Sequence, residues 1–400
     1  MRMLVVTRLP TLCTLPAFPF VRHLTVRNMA DRPIQAVTLR TGLQADRGDQ
    51  DPTLTITVDA EPPSTDEFVI AQGRSAYTCA RTFHQRSIID YHGHLRRLCD
   101  SLAGMLPHLT WADADGRRLV DLVEAPPSME PPPAERFARL TRDVTALDHL
   151  VTPLVKRGLL TYFDGKSGAG EAKVTMLLSY HAAPSIELTE ALALCKRTIN
   201  THTSQDHAPM CAVQISALKQ PAQSNCQVEI RQASRSNPEA KDSQWVSDRQ
   251  ALYHGMAPHT NEVLLLDGPD GHLTEGLSSN LFVVEERPNV PTDHGALDRY
   301  QLLTAPPGTV LLGTIMKLVL QVCHESGIHI VERLPTLTAL KQGQWQGAFI
   351  TSTSRLVLPI EVVRLPDEGG LEINLALDPI TQRIREEVLK HLKASAVEIY

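Results

Sequence analysis

The sequence has no CxxC pair, no Asn-x-Ser/Thr sequon, no apolar run of roughly 18 residues and no excess of basic side chains. Each absence closes off a class of protein. Seven cysteines (Cys13, Cys79, Cys99, Cys195, Cys211, Cys226 and Cys323) stand singly, which excludes a disulfide framework or a zinc ribbon and points to reduced structural thiols. Lysine and arginine total 39 against 45 acids, a net charge of −6, so no global positive field draws in nucleic acid. The missing apolar run removes a helical membrane span, and the missing sequon agrees with an intracellular protein. Neither GxGxxG nor GxSxG is present, and no repeat of solenoid period appears.

What is there is an ordinary globular mix. The 400 residues, 42% hydrophobic and 21% charged, suffice for two compact domains, and 28 prolines punctuate the chain into many loops. Met1–Ala30 carries Arg2, Arg8, Arg22 and Arg27 and no acid, the composition of an organellar transit peptide. Pro10, Pro16 and Pro19 break its apolar stretch and argue against a secretory signal. Mitochondrion or plastid is the address this implies; a start at Met29 would instead leave a cytosolic protein.

Alternation over Thr55–Val58 and the β-formers of Val69–Phe83 predict early entry into a sheet. Leu95, Leu98, Leu102 and Leu106 then predict an amphipathic helix within Ile88–Leu106. A proline-rich loop over Glu124–Glu135 precedes a second helix, and a strand at Ala172–Tyr180 closes the first unit. Beyond a HAAPS linker the pattern predicts a strand at CAVQIS, a helix around DSQWVSDRQALYHGM, and a hairpin in which VLLLD and NLFVVE flank GPDG. An apolar helix opening at Thr314 ends at Gly327, strands follow in GAFITSTS and RLVLPIEVV, and Asp378 caps a last helix with Pro379 in its first turn. Strands and helices alternating in two blocks give an α+β or α/β class. The expected division is a leader over 1–34, a small α/β domain over 35–182 and a larger cofactor-binding domain over 183–400.

Several short motifs fail. Gly165-Lys166-Ser167 lacks the first glycine of a phosphate loop, Ser216–Lys219 has no Lys-Thr-Gly partner, and His92 and His94 lack the spacing and glutamate of a metalloprotease helix. A set of ordered segments survives. LTEGLSSNLFVV (Leu273–Val284) follows the acid-Gly-x-x-x-Asn-hydrophobic hairpin of the fold-type IV (class IV) pyridoxal-phosphate enzymes almost position for position. Lys241 lies 34 residues before Glu275, a separation similar to that between the family's cofactor lysine and its hairpin glutamate, whereas Lys219 and Lys196 lie too far upstream. LLTAPPGTVLLGTIMKLVL resembles the family's phosphate-binding loop and helix start, FITSTSRLVLPI its second phosphate-side turn, and HLRRL its His-x-x-Arg-Leu helix. The chain thus resembles branched-chain aminotransferases, D-amino-acid aminotransferases and aminodeoxychorismate lyases from about residue 70 to residue 390, with AKDSQWVSDR similar to a poorly characterised eukaryotic branch.

That resemblance implies a two-domain D-amino-acid-aminotransferase-like fold, a homodimer, pyridoxal 5'-phosphate as cofactor and a small amine or keto acid as substrate. A lysine amine can condense with the cofactor aldehyde and then move protons at the substrate α-carbon, the two roles implied for Lys241. Glu275 would face the pyridine nitrogen and keep it protonated. Arg97, Thr314, Ile315 and Thr353 would hold the phosphate, while Ser278, Ser279 and Asn280 would line the site or fix its hairpin. The family's specificity marks are absent. Lys241-Asp242-Ser243-Gln244-Trp245 departs from the branched-chain Lys-x-x-Asn-Tyr, and Met176, Leu177 and Leu178 occupy the strand where D-amino-acid enzymes resemble one another in carrying an arginine. AYTCARTF is similar to a Thr-x-Ala-Arg strand frequent in the lyase branch. The leading expectation is an aminotransferase, the alternatives being an aminodeoxychorismate lyase giving p-aminobenzoate and pyruvate and a non-catalytic descendant that keeps the site.

Overall fold

A computed structural model describes residues 21–27, 34–42, 54–105, 140–164, 170–180, 209–219, 225–268, 271–288, 290 and 295–400. The expected loop at Glu124–Glu135, the HAAPS linker, the boundary at Ala182 and the Gly165–Ser167 turn lie outside these residues. The architecture is mixed α+β, built on two sheets.

The first sheet has eight strands, in the order Val21–Arg27, Leu54–Asp59, Ala36–Gly42, Pro209–Ala217, Ala172–Tyr180, Ser75–Phe83, Ser87–Ile89 and Ala396–Glu398. Its apolar face is covered by the helices Tyr91–Met105 and Val144–Asp164, which bring Leu95, Leu98, Leu102, Val151, Val155 and Leu159 onto Leu39, Val174, Met176, Val213 and Ile215. The leucine spacing of Leu95, Leu98 and Leu102 is the buried stripe of an amphipathic helix.

In the second sheet, nine strands include six (His272–Gly276, Glu262–Asp267, Cys226–Gln232, Leu356–Leu365, Trp345–Ser352 and Asn280–Glu286) that close into a ring through one pair, Glu275 with Asn280. Side chains alternate across a strand, so Leu281 and Val283 fill the inside of this ring while Phe282 and Val284 pack outward under the helices Thr314–Ser326 and Pro379–Ala394. Phe282 stacks on Phe349 outside, with ring centroids 4.9 Å apart. The helix ends follow their sequence signals: Gly327 takes the left-handed conformation (φ 70°) that glycine adopts without a Cβ clash, and the Asp378 carboxylate accepts the Thr381 N–H at 2.7 Å.

Three expectations are corrected. Val69 and Ile70 belong to the helix Thr65–Ile70, because Ser64 and Glu67 form a reciprocal capping box; the strand begins only at Ser75. GPDG joins VLLLD to HLTEG, and NLFVVE pairs mainly with Tyr300–Thr304 and Trp345–Ser352. The helix around Trp245 is two short turns, Gln244–Asp248 and Gln250–His254. Val21–Arg27 is an edge strand parallel to Leu54–Asp59. The first sheet takes Pro209–Ala217 into its centre and Ala396–Glu398 onto its far edge. Among the described residues no helix is long and apolar enough to cross a membrane.

The two outer helices are clasped by His391, whose Nδ1 donates to the Glu387 carbonyl at 2.8 Å and whose Nε2 donates to the Glu325 carboxylate at 2.8 Å. Both ring nitrogens donate only in the cation, so the carbonyl first and the carboxylate second hold its pKa above the ordinary histidine value. A raised pKa stabilises the fold fully below the unfolded value, near ~6.5, and the gain is lost as pH rises through the folded value. The thermal midpoint gap between wild type and His391→Leu should therefore be larger at pH ~5.5 than at pH ~8.5; equal gaps would refute the clasp.

Candidate active site

The backbone around Lys241 is sewn onto the first sheet. Ser87–Ile89 meets the strand Ser75–Phe83 only at Thr82 and Phe83, leaving the Ser75–Thr78 edge of that strand open. Into this edge Tyr77 N–H donates to the Lys241 carbonyl at 3.0 Å, Ser243 N–H to the Ser75 carbonyl at 2.9 Å, and Ser75 N–H to Ser243 Oγ at 2.8 Å. Lys241 N–H is taken by Ser101 Oγ at 2.9 Å, and Arg74 pairs with Asp242 at 2.7 Å. The lysine side chain then lies with Nζ 4.9 Å from the centre of the Tyr77 ring. Burial pulls its pKa from 10.5 to about 7; Cys79 opposes this, and the cations Arg235, Arg97 and Arg249 reinforce it.

Glu275 is buried on the ring-closing strand. Its Oε1 accepts Arg235 Nη1 at 3.2 Å and its Oε2 accepts the Leu311 N–H at 3.2 Å. Burial raises its pKa above the ordinary carboxylate value against the downward pull of Arg235. Ser278 and Ser279 spend their hydroxyls on Glu262 Oε2, at 3.0 and 2.9 Å, so their work is to set the turn after Glu275. Asn280 donates to the Leu311 carbonyl at 2.7 Å, tying the same loop that reaches Glu275. Two close approaches require glycine here: a Cβ on Gly276 would meet Ser279 Oγ at 2.4 Å, and one on Gly313 would meet Asn280 Oδ1 at 2.3 Å.

Arg97 crosses from the first sheet's helix to the second unit, donating to Thr314 Oγ1 at 2.8 Å and to the Leu312 carbonyl at 2.8 Å. Gly313 caps the Thr314–Ser326 helix without a side-chain bond, so the first N–H groups of a 13-residue helix remain open beside a buried guanidinium.

All nine residues expected at the site (Lys241, Glu275, Arg97, Ser278, Ser279, Asn280, Thr314, Ile315 and Thr353) line one cavity of about 260 Å³. Sequence reasoning missed Arg235, Tyr77, Trp245 and Arg249, which line it too. Trp245 Nε1 and Arg249 Nη1 both donate to the Leu277 carbonyl, at 3.0 and 2.8 Å, and Arg249 pairs with Asp66 at 2.9 Å. Arg235 sits in the polar run QASRSNPEAK, where nothing local marks it as buried; Tyr77 carried a usable signal, since it alternates with Cys79 on a strand that resembles the family's. His94, a weak metal candidate, is a core residue bonded through Nδ1 to Thr78 Oγ1 at 2.7 Å. Among the described residues no three metal-binding side chains come together. The donor set suits a phosphate monoester at Arg97 and the helix start, an electrophilic carbonyl at Lys241 and a protonated ring nitrogen at Glu275.

Residues 75–363 match the family model Amino-transferase class IV. In structure the chain is similar to a branched-chain aminotransferase from Thermoproteus uzoniensis with norvaline (TM-score 0.53, 15% identity, covering 86% of this chain and 97% of that one). A branched-chain amino acid aminotransferase from T.th., complexed with N-(5'-phosphopyridoxyl)-L-glutamate, is similar to the same degree (TM-score 0.53, 14% identity, covering 92% of this chain and 100% of that one). A PLP-bound hypothetical aminotransferase from Mycobacterium tuberculosis matches at TM-score 0.50 and 16% identity, over 89% and 99% of the two chains. No curated protein matches the sequence.

With its pKa near 7, Lys241 in the cofactor-free protein should be acylated at neutral pH ahead of surface lysines, with a labelling midpoint near about 7 by peptide mass spectrometry. A midpoint near 10.5, the ordinary lysine value, would contradict the depressed pKa.

Proposed function

Because the chain belongs to the class IV amino-transferase family, we propose that it is a pyridoxal-phosphate-dependent aminotransferase working as a homodimer on an amino acid or related amine. The observation that carries this reading is the convergence of Lys241, Glu275, Arg97 and an open helix start on one cavity. Bound there, pyridoxal phosphate supplies an aldehyde and a cationic ring that withdraws electrons from a substrate amine.

The protein's own residues do the rest. Arg97, the N–H groups at Thr314 and Ile315, and Thr353 would hold the phosphate. Glu275, oriented by Arg235 and Leu311, would face the ring nitrogen. Lys241 would tether the cofactor, and an amine whose pKa lies near 7 holds a proton or releases it at Nζ at little cost near neutral pH, which is what a group moving the α-proton needs. Arg249 and Arg235, held by Asp66 and Glu275, keep positive charge against Lys241 and so favour its neutral, nucleophilic form.

Borohydride reduction of the protein mixed with pyridoxal phosphate should fix the cofactor on Lys241, read by peptide mass spectrometry, and Lys241→Ala should abolish the label. Attachment at Lys173 or Lys317, or none, would sink the assignment. Offered an amino donor without an acceptor, the loaded protein should release about one keto acid per site and stop, as covalent half-reactions require. Continuous turnover would instead mark a lyase, and no product a non-catalytic site.

A further inference from the structure

Residues 311–314 carry the chain from the buried Val310 into the Thr314–Ser326 helix, and side chains from three other elements grip them. The Leu311 N–H donates to Glu275 Oε2 at 3.2 Å, and the Leu311 carbonyl accepts Asn280 Nδ2 at 2.7 Å, so this residue is held on both sides. Arg97 takes the next carbonyl, that of Leu312, with Nη2 at 2.8 Å, and takes Thr314 Oγ1 with Nη1 at 2.8 Å. Glu275 and Asn280 are themselves the register pair that joins the strands His272–Gly276 and Asn280–Glu286. Their backbones and side chains therefore close a triangle with Leu311 at its apex.

The triangle leaves little slack. A Cβ on Gly313 would meet Asn280 Oδ1 at 2.3 Å, so the segment passes the amide only as glycine. Glu275, Asn280, Arg97 and Thr314 are all buried, and water does not cheaply replace a bond lost among them. The two ends of the segment serve different donors and acceptors. Arg97 and the open helix start form the anion end, and Glu275 forms the acid end. Arg97 and Glu275 do not bond to each other; each bonds to the segment between them. An ion held at Arg97 restrains the segment at Leu312 and Thr314, and a segment already restrained costs less entropy to order again at Leu311.

We propose that Asn280 is a positioning residue that locks residues 311–314 into a rigid link, so that an anion at Arg97 and a pyridinium ring at Glu275 strengthen each other's binding. The proposal rests on reading the cavity as a pyridoxal-phosphate site, and it gives that site two cooperating halves in place of two independent ones. Asn280 acts through Leu311, whose N–H aims at Glu275 and whose neighbouring carbonyl, on Leu312, holds Arg97. Asparagine suits the role because one planar amide supplies the N–H for Leu311 while its oxygen fills the space that Gly313 leaves open.

Two unreactive probes test the two halves: inorganic phosphate for the anion end, and 3-hydroxy-2-methylpyridine, which has neither the aldehyde nor the phosphate arm, for the acid end. Each is titrated calorimetrically into the cofactor-free protein, alone and with the other saturating. In wild type, phosphate should tighten the pyridine about fivefold or more, and the pyridine should tighten phosphate by the same factor, because such coupling is reciprocal. Asn280→Ala, which removes the amide, should bring the factor to about one. Gly313→Ala should do the same from the other side, since its Cβ displaces that amide without removing a donor, and it serves where Asn280→Ala fails to fold. An Asn280 that only braced the hairpin would weaken both probes and leave the factor intact, which refutes the lock. A factor that survives in both variants belongs to direct attraction between the two ligands and is likewise a refutation. A wild-type factor of about one, with both probes bound, would overturn the lock and leave the cofactor reading standing. Phosphate binding without pyridine binding, together with no borohydride label on Lys241, would sink the cofactor reading and the lock with it.

Discussion

The cavity depends on three hydrogen bonds, two between backbones and one from Ser75 N–H to Ser243 Oγ, that dock residues 241–243 onto the open edge of Ser75–Tyr77. They join the two sheets, and they fix the lysine by its main chain while leaving its amine free. Had Ser87–Ile89 been long enough to pair the whole of its neighbour, that edge would be closed and Lys241 would have no anchor. A short strand is thus as necessary to the site as the charged residues. The docking also has a chemical result. Because the first sheet's face rises behind Lys241, the amine is desolvated over Tyr77, and burial is the largest cause of its lowered pKa.

Charge in the cavity runs opposite to charge on the chain. The protein carries a net −6, yet Arg97, Arg235, Arg249, Arg355, Lys173 and Lys241 all line the cavity. Three of these arginines are held by acids, Glu275 to Arg235, Asp66 to Arg249 and Glu262 to Arg355. Arg97 is held by a hydroxyl and a carbonyl only, so it keeps its full charge for a ligand. Arg235, Arg97 and Arg249 all help lower the Lys241 pKa, and which of them is paired is decided by the acids the fold brings within reach.

Much of the local structure was legible because its causes are local. Leu95, Leu98 and Leu102 announced a buried helical stripe, Gly327 and Asp378 announced helix ends, and Ala172–Tyr180 reads as a strand with the observed bounds. The hairpin was misread for an equally physical reason. GPDG is a turn signal, but the strand it returns into is set by which backbone finds a partner, and NLFVVE finds two better ones across the sheet. The capping box at Ser64 and Glu67 overrode the β-propensity of Val69 and Ile70, a local contest that the apolar residues alone do not reveal.

For the candidate site, the residues that line the cavity were marked in the chain itself: the 34-residue spacing of Lys241 and Glu275, the hairpin around Asn280 and the glycine before Thr314 are properties of linear order. What the fold alone decided was environment. Arg235 in a polar loop and Trp245 in a short turn look like surface charge or core until the two sheets close over them. Burial and the pairing of Arg235 with Glu275 both involve residues brought together from separate strands and loops. Desolvation and charge proximity are properties of a packed volume, and a one-dimensional sequence does not contain that volume until it folds.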